Sequence, residues 1–251
     1  MKHFRTYWLS AAALFLCSGS IGFLARSQSA GAPTLKPFVA HLRQQMFSKS
    51  GRTPGVTDRV VAHREDGSYM TSFTSRSPSG ESGNTVEVVD VPGRRSVTLE
   101  PFTKSVLIFH LSADELRQSI QSQKACEASG VKEQLPERTG RRRKLMFGRE
   151  LLMATDRTAS KTALSWVAPD LDCYPLEEHV TFSNGSHNDS WLVGLDVGTP
   201  PESLFEIPPD YTERSPLQIE ASYRARYPGH RLWDDRMVGI IEQRYQAHQG
   251  R

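Results

Sequence analysis

The sequence predicts an α+β fold that is mostly β, in which an antiparallel sheet carries one capping helix and an extra C-terminal helix. From Lys36 onward the dominant hydrophobic period is two, which is typical of half-buried strands. Turn residues separate these strands at short intervals, which favours hairpins. Helical spacing is confined to two segments, one in the middle of the chain and one near its end.

The first strand is predicted in PFVAHLRQQMF, where Phe38, Leu42 and Met46 fall on one side. DRVVAHRE and YMTSFTSR form a hairpin around Asp66-Gly67, because this dipeptide tolerates the positive φ of a tight turn. TVEVVDV and RSVTLEP form a second hairpin, and TKSVLIFHL supplies the next strand. Four further strands are predicted in KLMFGRELLMAT, KTALSWVA, LEEHVTF and DSWLVGLDV.

The central helix is predicted to begin after Ser112, because Ser112 and Glu115 have the spacing of a capping box, and to end at Gly130. Prolines in PPESLFEIPPDY exclude a ladder strand and favour a turn-like anchor on the sheet. The apolar residues of the last segment recur at helical spacing, which predicts core packing, with a partner-binding or membrane-surface helix as the alternative. They are Trp233, Met237, Ile240, Ile241 and Tyr245.

Residues 1–30 resemble an export signal. Lys2 and Arg5 precede an apolar run from Tyr7 to Ala25, and small residues follow. Cleavage is expected after Ser27 or Ala30, although the run is just long enough to remain as an inner-membrane anchor. Lipidation at Cys17 is disfavoured because Leu16 precedes it. We therefore expect a periplasmic or cell-envelope protein, in contact with the membrane through residues 7–25 if they are retained.

Charge argues against a nucleic-acid partner. The net charge of +3 comes from Lys2, Arg5 and Arg26, so residues 31–251 hold equal numbers of basic and acidic side chains. Nucleic-acid binding needs an excess of positive charge to displace phosphate counterions. One basic run, RTGRRRK from Arg138 to Lys144, is interpreted as a solvated loop or edge strand, with a polyanion or lipid-headgroup patch as the alternative.

Two cysteines remain after the signal, Cys126 and Cys173, and they are the minimum for one disulfide. In an oxidising compartment a bridge between them would contribute roughly 3 to 4 kcal/mol on the chain-entropy model. Two free thiols are the alternative.

Catalytic and cofactor-binding patterns are missing from the sequence, so no cofactor, metal or catalytic residue is predicted. Glu177 and His179 would share one face of a strand as an acid-base or metal pair, but a polar strand face in solvent is the favoured interpretation.

The second half of the chain resembles uncharacterised exported bacterial proteins that are similar to the LolA-like lipoprotein-carrier fold. The resemblance rests on Trp166, on the Pro169-Asp170-Leu171 turn with the strand after it, and on SLFEIPPDY ending at Tyr211. It covers Lys36 to Tyr211 and implies a curved antiparallel sheet, or half-barrel, whose concave face accepts acyl chains in true carriers. The structural residues it implies are Trp166, Leu171, Leu204, Phe205 and Tyr211.

These observations divide the chain into three parts: residues 1–30 as signal or anchor, residues 36–211 as a LolA-like domain, and residues 212–251 as a helical extension. The expected function is to bind an apolar or lipid-like ligand, or an envelope protein, on the concave face. A hydrolase with an unrecognised active site is the alternative. The expected ligand-contacting residues are Phe38, Leu42, Met46, Val106, Ile108, Leu151 and Met153.

Overall fold

The computed structural model of the protein describes residues 35–49, 55–123 and 143–249. Within these ranges twelve strands form a single open sheet in the order β12-β6-β5-β4-β3-β2-β1-β11-β10-β9-β8-β7. All neighbours are antiparallel except β12 and β6. The strands are β1 Phe38–Phe47, β2 Thr57–His63, β3 Tyr69–Arg76, β4 Ser82–Asp90, β5 Arg95–Glu100, β6 Ser105–His110, β7 Arg143–Met146, β8 Arg149–Arg157, β9 Lys161–Ala168, β10 Tyr174–Phe182, β11 His187–Val197 and β12 Thr212–Glu213.

Three helices accompany the sheet in the described ranges: α1 Ala113–Gln123, α2 Pro216–Arg226 and α3 Asp235–Gln249. The predicted capping box opens α1, because the Ser112 N–H donates to Glu115 Oε2 at 2.8 Å and the Glu115 N–H donates to Ser112 Oγ at 3.3 Å. The α+β class with a large curled antiparallel sheet is therefore confirmed. The predicted export segment, residues 1–30, lies outside the described residues.

The C-terminal extension holds two helices where the sequence predicted one. Ser215 caps α2 through a second capping box with Gln218, a signal present in the sequence as S-P-L-Q. The carboxylate of Glu220 joins the helices, because Glu220 Oε2 accepts the N–H groups of Leu232 at 3.1 Å and Trp233 at 3.0 Å. The extension is thus a helical pair.

The segment predicted as one strand, KLMFGRELLMAT, is a hairpin. Phe147 and Gly148 both have positive φ, 51° and 71°, and they turn the chain from β7 into β8. Two consecutive residues with positive φ are typical of a two-residue hairpin turn. The sequence pattern does not indicate this turn, because a phenylalanine stands where Asn or Asp is usual.

The sheet separates its apolar residues into two faces. Phe38 lies in a cross-strand row with His63, Tyr69, Val89 and Phe109. Side chains alternate along a strand, so the following row lies on the opposite face. That second row contains Val39, Ala62, Met70, Val88, Val97 and Ile108.

The SLFEIPPDY segment closes the Val39 face. Leu204, Phe205, Ile207 and Tyr211 pack against the cluster that contains Val39 and Met70. The guanidinium carbon of Arg64 lies 3.9 Å from the centre of the Phe205 ring, and cation–π contacts of this kind add to the apolar packing. The segment therefore anchors on the sheet without extending its antiparallel ladder.

Candidate functional site

The sheet curls toward the face that carries Phe38. Tyr174 lies on β10, three strand positions from His63 on β2. In a flat sheet that separation would be roughly 14 Å, because neighbouring strands lie about 4.8 Å apart. The ring centroids of His63 and Tyr174 are nevertheless 5.3 Å apart, and those of Phe38 and Tyr174 are 5.1 Å apart. We call the Phe38 side the concave face and the Val39 side the convex face.

An apolar cluster fills the floor of the concave face around Phe38. Leu171 closes one end of it from a short 3-10 turn, Pro169–Leu171, and is almost fully buried. The Lys36 N–H donates to Asp172 Oδ2 at 2.9 Å and ties this turn to the start of β1. The members of the cluster are Phe38, Ala40, Leu42, Val61, Leu151, Ala168, Leu171, Leu176 and Leu192, with Met146, Trp166, Tyr174 and Leu195 packed against them.

Polar side chains continue the concave face beside this cluster. Arg59 lies opposite Leu42 and Phe73, while Thr71 lies opposite Val61 and Glu87. The Nε–H of Arg59 donates to Thr71 Oγ1 at 3.0 Å. In the described part of the chain, no carboxylate forms an ion pair with Arg59. The concave face therefore has an apolar region around Phe38 and, next to it, a polar region that contains the positively charged Arg59.

Burial shifts the pKa values of two titratable groups in this polar region, Glu87 and Tyr174. Burial raises the pKa of the Glu87 carboxyl, and the positive charge of Arg59 opposes this shift. Burial also raises the pKa of Tyr174, with Arg59 opposing and Glu178 adding to the shift. Both residues keep part of their surface accessible. Both groups are half-buried on the concave face, and we refer to the space that they border with Arg59 and His63 as the recess.

His63 forms a wall of the same recess. Its ring stacks on Phe38 at a centroid distance of 4.7 Å. Burial lowers its pKa to about 4, and the nearby charge of Arg59 acts in the same direction. The imidazole is therefore neutral at pH 7 and serves there as an aromatic surface.

The helices cover a different part of the concave face, over β3 to β6. Leu116 of α1 packs in a cluster with Val89 and Tyr69. Ile219 of α2 and Val238 of α3 pack in a cluster with Leu107 and Phe109 of β6. The described side chains of the three helices belong to these clusters and not to the cluster around Phe38. The C-terminal helices thus cover the β6 end of the sheet, while the recess near β1 and β2 borders them.

The structure separates the seven predicted ligand-contacting residues. Phe38, Leu42 and Leu151 belong to one concave cluster, and they are buried. Met46, on the same face of β1, and Met153, two residues beyond Leu151, are half-buried. Val106 and Ile108 lie on the convex face under the SLFEIPPDY segment, which corrects their predicted place. Alternation shows which residues of one strand share a face, but only the register of the pairing shows which face of β6 corresponds to a given face of β1.

Sequence reasoning missed the polar residues of the recess: Arg59, Glu87, Tyr174 and Glu178. A faint signal existed, since Arg59 and Glu87 each stand beside valines inside strands whose neighbours are buried. Their convergence depends on the curl of the sheet, which the alternation pattern does not encode.

The Glu177–His179 pair, which the sequence left as the less favoured alternative, does not form. Glu177 accepts a hydrogen bond from the Lys144 ammonium, and His179 Nδ1 bonds the carboxylate of Asp189 on the neighbouring strand. The His179 and Asp189 side chains are both at least a third exposed. Within the described ranges, no group of three or more His, Cys, Asp or Glu side chains is arranged to hold a metal ion.

Cys173 is buried beside Leu152 and Val167 and is disulfide-bonded. Cys126 lies outside the described residues, so the Cys126–Cys173 pairing stays a prediction. Trp166, the other residue predicted to pack at this end of the sheet, is half-buried against the concave cluster.

No protein-family model matches the chain, and no curated protein matches it. Similar solved structures include PNGF-II, with a TM-score of 0.37 and 9% identity over 75% of this chain and 33% of that one. A LolA superfamily protein from Nitrosomonas europaea has a TM-score of 0.34 and 9% identity over 68% of this chain and 90% of that one. LprF from Mycobacterium bovis has a TM-score of 0.35 and 11% identity over 70% of this chain and 90% of that one.

The chain thus spans about a third of the length of PNGF-II and most of the two smaller proteins. One of these matches is a LolA superfamily protein, the fold that the sequence resemblance named. At these TM-scores and identities, the ligand and the activity have to be argued from the recess itself.

Proposed function

We propose that the domain binds an amphipathic, lipid-like ligand on its concave face. The observation that carries this proposal is the placement of Arg59 at the border of the apolar cluster around Phe38, in a recess that solvent still reaches. The apolar part of the ligand would lie against half-buried side chains such as Met46 and Phe73. Its polar group would lie toward Arg59.

Physical chemistry supports an apolar chain in this place. Burying one methylene group contributes about 0.8 kcal/mol, so even a medium-length chain supplies substantial affinity. Pockets for such ligands are mostly apolar with a few placed polar groups, and the concave face has this composition.

A hydrolase is the alternative, and the convergence of His63, Glu87, Tyr174 and Glu178 is the observation that favours it. A general base works best with a pKa near the operating pH. His63, with a pKa of about 4, is a weak base at pH 7. Glu178 accepts a hydrogen bond from Ser165 Oγ at 3.1 Å, which occupies part of its capacity. Binding is therefore the better-supported function.

Ligand binding can be tested by displacement of a fluorescent fatty-acid probe from the full chain. Phe73→Glu places a charge on the concave face and is expected to weaken probe binding at least tenfold. Thr74→Glu, one residue further along β3 and on the opposite face, is the matched control and should bind normally. Absence of probe binding by the wild-type chain would refute the proposal.

We also propose that the protein acts in the cell envelope, on the basis of the basic and apolar order of residues 1–30. The described helices are all too short or too polar to cross a bilayer. Fractionation of cells that express the full chain should recover it outside the cytoplasm. Recovery from the cytoplasmic fraction with Met1 still present would contradict this assignment.

A further inference from the structure

The hairpin of β7 and β8 carries the most exposed large apolar side chain in the described ranges. Leu145 is 77% exposed and Phe147, in the turn, is 52% exposed. Leu145 pairs with Glu150 across the hairpin, whereas the next pair contains the fully buried Leu151. Leu145 therefore points to the side opposite Leu151, away from the concave cluster around Phe38.

Phe147 occupies a backbone conformation that is unusual for an aromatic residue. Phe147 has a φ of 51°, a left-handed conformation that is unfavourable for a bulky residue. Asn, Asp or Gly would fit this position with less strain. An exposed phenylalanine in strained backbone at a hairpin tip serves neither the turn nor the core, and strained positions of this kind concentrate at binding sites.

Basic side chains surround the two apolar ones. Arg143, Lys144 and Arg149 lie in the hairpin, and each is paired with one carboxylate: Glu150, Glu177 or Asp170. The Arg143 side chain is 64% exposed, and exposed ion pairs contribute little stability. The Arg143 guanidinium can therefore exchange its carboxylate for another anion. In the sequence, Arg141 and Arg142 directly precede Arg143.

We propose that the tip of this hairpin docks the protein on an anionic lipid surface. Leu145 and Phe147 enter the interface between head groups and acyl chains, while Arg143, on the same side of the hairpin as Leu145, contacts a lipid phosphate. Aromatic and aliphatic residues beside Lys and Arg are typical of peripheral membrane contacts. The hairpin lies at one end of the strand order, β7 being the last strand, whereas the helices cover β6 near the other end.

This surface is independent of the concave recess, so the two proposals can fail separately. A carrier that holds an apolar ligand has to approach a membrane to exchange it, and the hairpin gives that approach an orientation. The occupant that competes with a lipid surface is a second copy of the chain, paired edge to edge along β7. The experiment below distinguishes the two.

Hydrogen exchange of the full chain, with and without vesicles, localises the contact. Vesicles containing phosphatidylglycerol should slow exchange at residues 143–150, and vesicles of phosphatidylcholine alone should do so much less. A contribution from residues 7–25, if they are retained, would fall in other peptides. Equal protection by both vesicle types would overturn the anionic part of the proposal, and no protection by either would overturn it entirely.

Substitutions provide the second measurement. Leu145→Ser combined with Phe147→Ser is expected to lower the affinity for phosphatidylglycerol vesicles about tenfold. Each substitution removes the free energy gained when an apolar side chain moves from water into the membrane interface. Leu217→Ser combined with Ile240→Ser is the matched control, because these residues are 55% and 58% exposed on the helical pair. An equal loss in both double variants would overturn the assignment. Protection of residues 143–150 that grows with protein concentration in the absence of lipid would identify a second copy as the partner instead.

Discussion

The two faces of the sheet differ in how they are closed. On the convex face, the row from Val39 to Ile108 is apolar throughout, and the SLFEIPPDY segment packs over it. On the concave face, the neighbouring rows place Arg59, Thr71 and Glu87 among apolar residues, and these polar side chains stay partly accessible. The convex face therefore supplies stability, while the concave face retains groups that a well-packed core would not tolerate.

The largest expected difference between the faces is in the cost of truncation. Met70→Ala leaves a cavity in the convex core and should lower the free energy of unfolding by about 2–5 kcal/mol. Thr71→Ala, the next residue and on the concave face, removes the hydrogen bond from Arg59 and should lower it by about 0.5–1.5 kcal/mol. Urea denaturation of both variants measures the difference. Equal decreases in the free energy of unfolding would contradict the distinction between a fully packed convex face and a partly accessible concave face.

His63 gives the concave face a dependence on pH. Its pKa is lowered to about 4 in the folded protein, so below about pH 6.5 the unfolded chain binds a proton more readily than the native chain does. Stability due to the neutral ring is present above pH 6.5 and is lost as the pH falls toward 4, by roughly 3 kcal/mol in total.

His63→Phe should preserve the stack on Phe38 and remove this pH dependence. The measurement is the free energy of unfolding from pH 7 to pH 4 for the wild-type and variant chains. A wild-type curve that is flat between pH 6.5 and 4 would show that the ring is not buried as described.

Arg59 should distinguish ligands by charge. Arg59→Gln is expected to weaken the binding of a long-chain carboxylate about tenfold, because a hydrogen bond between charged groups is lost. The affinity for the methyl ester of the same acid should not change, because the ester carries no charge. Arg43→Gln is the control, since Arg43 is exposed on the convex face and paired with Asp58. Isothermal titration with the acid and the ester checks the prediction, and equal effects on both ligands would place the head group elsewhere.

The smallest effect is expected where α1 meets α3. His248 Nε2 donates to Glu115 Oε1 at 2.8 Å. Burial raises the pKa of Glu115, but the hydrogen bonds from Ser112 and His248 together outweigh it and bring the pKa to about 2. The folded protein therefore gains stability from the carboxylate above about pH 4.5 and loses it as the pH falls toward 2.

Glu115→Gln should remove this term, which is about 1 kcal/mol after allowance for solvent screening. Gln118→Glu, elsewhere on the same helix, adds a carboxylate without this contact and serves as the control. The measurement is the difference in unfolding free energy between pH 5 and pH 2.5. A Glu115→Gln variant with an undiminished acid-dependent loss would contradict the role of the contact.

Much of the fold follows from local pattern. The strand from Phe38 to Phe47, the hairpin around Asp66-Gly67 and the start of α1 after Ser112 are as predicted, because alternation, turn chemistry and capping are properties of neighbouring residues. At Phe147 the local signal is atypical and the turn was not predicted, whereas the capping box at Ser215 is a usual helix start that the prediction overlooked.

The sequence by itself determined most of the strands and the alternation of apolar and polar residues within each of them. It did not determine which face they share, because alternation leaves one binary choice per strand, and only pairing and curl settle that choice. Val106 and Ile108 thus lie opposite Phe38, although all three are apolar at alternate positions. The same pairing and curl bring Arg59 of β2, Glu87 of β4 and Tyr174 of β10 into one recess, since contacts between strands far apart in sequence form only when the sheet closes on itself.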